Sequence, residues 1–368
     1  MDNSEKNTNR SKTKKAAARW IAAVIAVLLA ALAVIAAMNA VVDPFFHFHG
    51  PLDGLQYPID NERYQNDGIT RNFDYDAIIT GSSMAENFKT SQFDELFGVK
   101  SIKVPFSGGR YKEVNDNITR SYESGHDLNI VLRSLDYSLL VLDKDDVYPG
   151  AEYPTYLTDD NPFNDIKYLL NLTVFFDDTL RVFSYTNSGQ KTTSFDDYQN
   201  WMDDSEFGAD VVFSTYTLGT PAKTEKKLSD HDRELIRGNL EQNVISQAEA
   251  HPETTFYIFF PPYSIAYWDE LNNEKKINWR IDAEEYAIDM LLKCDNIKLF
   301  SFSTRYDITC NLDNYKDQAH FKSWINDQIL EWISRDEYQI TEQNEEEYIS
   351  EIRNFYGSYD YSSLHGDN

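Results

Sequence analysis

The chain has 368 residues, 41% of them apolar, and carries a formal charge of −27 from 61 acidic and 34 basic side chains. That apolar share supports a full core in one large domain or two modest ones and excludes a disordered chain. So acidic a surface is a poor partner for nucleic acid, and its only cysteines, Cys294 and Cys310, cannot build a structural zinc site by themselves.

Residues 1–19 form a basic tail, with Lys6, Arg10, Lys12, Lys14, Lys15 and Arg19 against Asp2 and Glu5. An uncharged run over residues 20–42 follows. At about 1.5 Å per residue it is long enough to cross a hydrocarbon core about 30 Å thick. The basic flank precedes the run, so the positive-inside rule predicts a single-pass anchor in the cell membrane, a cytoplasmic amino terminus and an extracytoplasmic remainder. A cleaved signal peptide is the competing reading, since small residues near 37–40 suit a peptidase, but its apolar stretch would span only about 7–15 residues. The lipid bilayer is therefore the first expected partner.

Residues 43–70 read as a juxtamembrane segment whose Asp43-Pro-Phe-Phe-His-Phe-His-Gly-Pro is turn-rich and aromatic. His47 and His49 alternate as they would in a strand. Without an evident third ligand, they suit packing at the membrane surface better than a metal site.

A main domain is expected over residues 71–338. Short apolar runs at 77–80, 99–104, 129–132, 255–260 and 297–302 lack strict alternation and suit strands buried on both faces. Helical patterns at 91–97, 111–124, 229–250 and 283–293 lie between them. The alternation predicts an α/β fold with a central parallel five-stranded sheet. Residues 139–227 are too long for one crossover, and their aromatic runs predict an ordered insertion folded over the carboxyl edge of the sheet. Residues 339–368 read as an acidic helix and tail with a solvated face. Cys294 and Cys310 flank the last predicted strand, where a disulfide and two free thiols are both open.

Three blocks carry chemistry. Gly81-Ser82-Ser83 closes the first strand, and a serine just past a strand's carboxyl end sits at the mouth of a parallel-sheet crevice. Both serines also suit helix caps. Ser107-Gly108-Gly109 follows the second strand, where glycine lets backbone N–H groups approach a developing oxyanion, although an ordinary turn has the same signature. Asp317-Gln-Ala-His320 follows the final strand. There Asp317 can orient the imidazole and His320 can take a serine proton, with a capping Asp and a surface His as the alternative. Pro261-Pro262-Tyr263-Ser264 after the fourth strand either shapes the pocket through Tyr263 or forms a rigid turn.

The order of these blocks resembles the SGNH (GDSL-like) hydrolase superfamily. It is most similar to the membrane-anchored branch that includes the teichoic acid D-alanylation and alginate O-acetylation proteins, in which Gly-Ser-Ser can replace Gly-Asp-Ser. The resemblance implies a flavodoxin-like three-layer sandwich behind the transmembrane helix. It casts Ser83 as nucleophile, His320 as base and Asp317 as its partner, with N–H groups of Ser83, Gly108 and Gly109 at the oxyanion. The implied activity is that of a serine esterase or O-acyltransferase on acyl esters of cell-envelope glycans or polymers, needing no cofactor and no metal. Its partners would be envelope polysaccharide or acylated polymer and a membrane acyltransferase. The alternative is a non-catalytic accessory protein of the same fold.

One departure from the family pattern concerns the third strand. The superfamily usually places an oxyanion Asn after it, whereas here Val131-Leu-Arg-Ser-Leu-Asp-Tyr137 puts Arg133, Ser134 or Asp136 near that place. A carboxylate there would repel an oxyanion unless protonated or paired. Ser134, Asp136 and Tyr263 are accordingly the candidate substrate contacts.

Overall fold

The computed structural model describes residues 2–149, 153–202 and 205–365. Met1, residues 150–152 and 203–204 of the expected insertion, and the last three residues of the expected tail lie outside the described residues. The chain divides into two compact units: Met1–Pro58 with Pro154–Thr192, and Ile59–Tyr153 with Thr193–Asn368.

The first unit is dominated by helix α1, Asp2–Val42. It is long and apolar enough to span a membrane, and its most apolar stretch is unburied. Trp20, Val27 and Leu29 are each more than 60% exposed, an arrangement costly in water and natural in lipid. The end of the helix is different. The Asn39 amide donates to the carbonyls of Tyr168, Leu169 and Asn171 at 3.1–3.3 Å and accepts from the Thr179 hydroxyl at 2.8 Å. Asp43, also buried, accepts from the Tyr168 hydroxyl at 2.8 Å and from the backbone N–H groups of Phe48 and His49. His47 bonds Asp165 at 3.1 Å, and the His49 ring bonds the Gly50 carbonyl.

The second unit is a layered α/β domain. Its six strands are β1 (Ala77–Gly81), β2 (Ser101–Pro105), β3 (Ile130–Ser134), β4 (Thr255–Phe260), β5 (Ile297–Ser301) and β6 (Gln339–Ile340). They lie in the order β2-β1-β3-β4-β5-β6. The first five are parallel, and β6 pairs antiparallel with β5 through Leu299↔Ile340 and Phe300↔Gln339. The expected five-stranded parallel sheet is thus corrected to a mixed six-stranded one. A two-residue strand carries no periodicity, so only its pairing reveals it. Every residue of β1 and β2 is buried, as the unalternating apolar runs require.

Helices cover the sheet: α2 (Glu62–Asn72), α3 (Thr90–Phe97), α4 (Tyr111–Glu123), α5 (Asp230–Leu240), α6 (Ile265–Asn273), α7 (Ile277–Leu291), α8 (Ser323–Ser334) and α9 (Glu345–Ser358). Ser229 starts α5 with a capping box: its hydroxyl accepts from the Asp232 N–H, and the Asp232 carboxylate accepts from the Ser229 N–H. The helix then runs through one π turn, Glu241–Ile245, to Ala250.

Two expectations change here. Helix α2 belongs to the sheet unit, not to a juxtamembrane segment, and it buries polar residues such as Gln65 and Asn66. The insertion also divides. Pro154–Thr192 belongs with α1, and only the part after Thr192 belongs with the sheet. Cys294 and Cys310 are free thiols.

Candidate active site

The chain leaves β1 to form β2 on one side and returns to form β3 on the other, so the carboxyl ends of β1 and β3 flank a switch point where parallel sheets bind ligands. Gly81 ends β1 there with φ +144°, and a Cβ on it would stand 2.0 Å from Ser134 Oγ. Only glycine allows β1 and β3 to close so tightly just before the serines.

Ser82 and Ser83 then part company. The Ser82 hydroxyl accepts from the Met84 N–H at 3.2 Å, capping a short 3-10 turn, Ser83–Ala85, and donates to Asp136 Oδ2 at 2.6 Å. Ser83 Oγ lies 2.7 Å from His320 Nε2. On the other side of the ring, His320 Nδ1 lies 2.7 Å from Asp317 Oδ2. A carboxylate can only accept, so Nδ1 carries the proton and Nε2 presents its lone pair to the serine. Burial pushes the Asp317 pKa upward, but hydrogen bonds from the His320 ring and from the backbone N–H groups of His320 and Ala319 outweigh it and hold the carboxyl below its ordinary range.

The loop carrying His320 is fixed at both ends. Tyr315 and Phe321 form an antiparallel bridge, and the Lys316 N–H donates to the His320 carbonyl at 3.1 Å. The turn after β4 holds it as well: the N–H and hydroxyl of Ser264 both donate to the Gln318 carbonyl at 2.9 Å. The block Pro261–Ser264 therefore serves as a brace for the histidine loop.

A pocket of about 500 Å³ opens over these groups, lined by Ser83, Glu86, Ser107, Gln199, Asn200, Trp201, Lys316, Asp317 and His320. The other candidates stand outside it. Asp136 is buried, with its carboxylate bound by Ser82 and by the Tyr263 hydroxyl at 2.5 Å. Its pKa is raised by that burial. Ser134 faces Gly81, and Tyr263 packs edge-on against Tyr137. None of these three lines the pocket. The Gly109 N–H donates to the Phe106 carbonyl at 2.7 Å and is therefore committed to a turn, and Gly108, at φ +66°, supports the same turn. Ser107 of this block reaches the pocket instead. Among the described residues the Ser83 N–H makes no backbone hydrogen bond in the turns and loops.

Sequence reasoning missed five pocket residues. Gln199, Asn200 and Trp201 come from the second part of the insertion, where nothing in the sequence marks a site. Trp201 meets the His320 ring edge-on, and Lys316 Nζ lies 3.5 Å from the centre of the Trp201 ring. Burial lowers the Lys316 pKa against the opposing pull of Asp317 and Glu86. Glu86, only 4% exposed, has its pKa raised to about 7, chiefly by burial and next by the Glu62 carboxylate. An acid three residues after the serine was the one available signal for it.

Comparison of the chain with protein-family models, with curated proteins and with solved structures yields no match.

Proposed function

We propose that the chain is a membrane-anchored serine esterase or O-acyltransferase of the SGNH type, acting on acyl esters of a cell-envelope glycan or polymer. The observation that carries this reading is the unbroken relay from Ser83 Oγ through His320 to Asp317, with 2.7 Å at each link. The five parallel strands in the order 2-1-3-4-5 support a flavodoxin-like core for such an enzyme, with β6 as an addition.

In this mechanism Ser83 Oγ attacks the ester carbonyl while His320 Nε2 takes the hydroxyl proton. Asp317 stabilises the imidazolium. The Ser83 N–H donates to the oxyanion of the tetrahedral intermediate. When the intermediate collapses, His320 returns the proton to the leaving alcohol, and the acyl group remains on Ser83. Water or a sugar hydroxyl then attacks, with His320 again as base, and the acyl group leaves the enzyme. These steps need no cofactor.

Helix α1 and its basic flank favour an anchor with a cytoplasmic amino terminus and an extracytoplasmic site. The lipid bilayer and an acylated envelope polymer are then its partners. A second reading, a non-catalytic accessory protein that binds polymer or a membrane acyltransferase, is favoured by the absence of the usual oxyanion Asn after the third strand, where Arg133, Ser134 and Asp136 stand instead.

Labelling with a fluorophosphonate separates the two. The esterase reading expects covalent labelling of the parent protein and none of Ser83→Ala. Equal labelling of both, or of neither, would sink it.

A further inference from the structure

The pocket contains one carboxyl group that the relay does not use. The Glu86 backbone N–H donates to the Ser83 carbonyl at 3.3 Å across the 3-10 turn, and its side chain lines the pocket beside Ser83 while only 4% exposed. We infer that Glu86 is the missing oxyanion donor: held as a neutral carboxylic acid, it hydrogen-bonds the acyl oxygen as negative charge develops there. The inference rests on the esterase or acyltransferase reading above and names a residue that the resemblance does not supply.

Every group packed around Glu86 bears on its charge. From α2, Glu62 accepts from Arg63 and from the Ser107 N–H; burial raises its own pKa against those bonds, and its charge opposes a second carboxylate at Glu86. From the turn after β2, the Ser107 side chain favours the charged form of Glu86. From β2 itself, the buried Lys103 Nζ, its pKa lowered by burial to about 7, donates to the backbone carbonyls of Glu86 and Phe88. From the histidine loop, Lys316 and His320 favour the charged form, but more weakly than burial and Glu62 oppose it. From the inserted segment, Tyr198 turns its hydroxyl to Asn66 at 2.7 Å. The balance puts the carboxyl near its midpoint at about pH 7, and a neutral acid offers one O–H donor where a carboxylate offers none. A protonated acid serving as an oxyanion donor has a precedent in enzyme chemistry.

The test uses full-length protein in detergent micelles and the second-order rate of fluorophosphonate labelling between about pH 5.5 and 9. The parent rate should fall as pH rises above about 7. Glu86→Gln, a permanent donor of similar shape, should hold its rate to pH 9 and exceed the parent there. Glu86→Ala should lose about 100-fold relative to the parent at pH 6 and much less at pH 9, where the parent carboxylate no longer donates. If Ser83 is required for labelling but Glu86→Ala labels like the parent at pH 6, or Glu86→Gln shares the parent's pH profile, the inference fails and the serine reading stands. If Ser83→Ala labels undiminished, the serine reading itself fails. Difference infrared spectroscopy supplies a check without labelling: the parent at pH 6 should show a protonated carboxyl band that Glu86→Gln lacks, and its absence would overturn the inference.

Discussion

The indole of Trp201 stands edge-on to the imidazole of His320, with ring centres 5.6 Å apart and planes at 87°. A segment distant in sequence from the histidine loop thus packs against the ring that, in the proposed mechanism, passes a proton between Ser83 and a leaving alcohol. Lys316 lies over the same indole and adds a cation–π contact.

Trp201→Ala should therefore lower the rate of Ser83 acylation about tenfold by freeing the ring, in keeping with the sensitivity of catalysis to small misplacements. Trp201→Phe keeps an aromatic edge and should lose much less. Stopped-flow acylation of the two variants checks this, and equal losses would show that the edge contact does not position His320.

Asp317→Asn replaces a pure acceptor with a group that can also donate toward Nδ1, which favours the wrong imidazole tautomer. Acylation should fall on the order of 10³–10⁴-fold, as in other serine triads. Thermal unfolding should stay cooperative at neutral pH, since the loop remains braced through Ser264.

Glu86 carries a stability signature of its own. Its folded-state pKa, about 7, lies above its ordinary value of 4.5, so the folded protein binds more protons than the unfolded chain across that interval. The stability it contributes is full below 4.5 and lost as pH rises through about 7. Glu86→Gln removes that loss. Its melting temperature relative to the parent should rise by roughly 3–4 °C between pH 5 and pH 8, and a constant difference across that range would count against the neutral acid.

How much of this was legible in the sequence follows from where information resides. Ser83, Asp317 and His320 could be found because each closes or follows a buried apolar run, and strand ends in parallel sheets converge on one edge. Glu86 could not, because an acid near a turn reads as surface until its burial is known. Helix α2 hid behind its polar composition: Gln65, Asn66 and Asp67 are buried in it, so no apolar stripe announces it. Asn39 was concealed in the opposite way, as one amide within an apolar run.

Gly81→Ala tests the closeness of β1 and β3. Its new Cβ would stand 2.0 Å from Ser134 Oγ and 3.1 Å from Ser134 Cβ on a backbone at φ +144°. The expected cost is about 2–4 kcal/mol from overpacking and strain, read by chemical denaturation. Adding Ser134→Ala removes only the shorter contact, so partial recovery is expected. A cost below about 0.5 kcal/mol in the single variant would contradict the close approach.

Asn39 has a consequence for how the protein is made. Its partners lie in Pro154–Thr192, and β1, β2 and β3 are all synthesised before that segment appears. The unit that holds helix α1 therefore cannot close while α1 is being made. It waits for a strip of chain that arrives only after half the sheet has been made, and until then the Asn39 amide has none of those four partners. Closure of this unit is thus tied to synthesis of the first half of the sheet, so a chain stalled between β3 and Pro154 would carry α1 without the segment that grips its end.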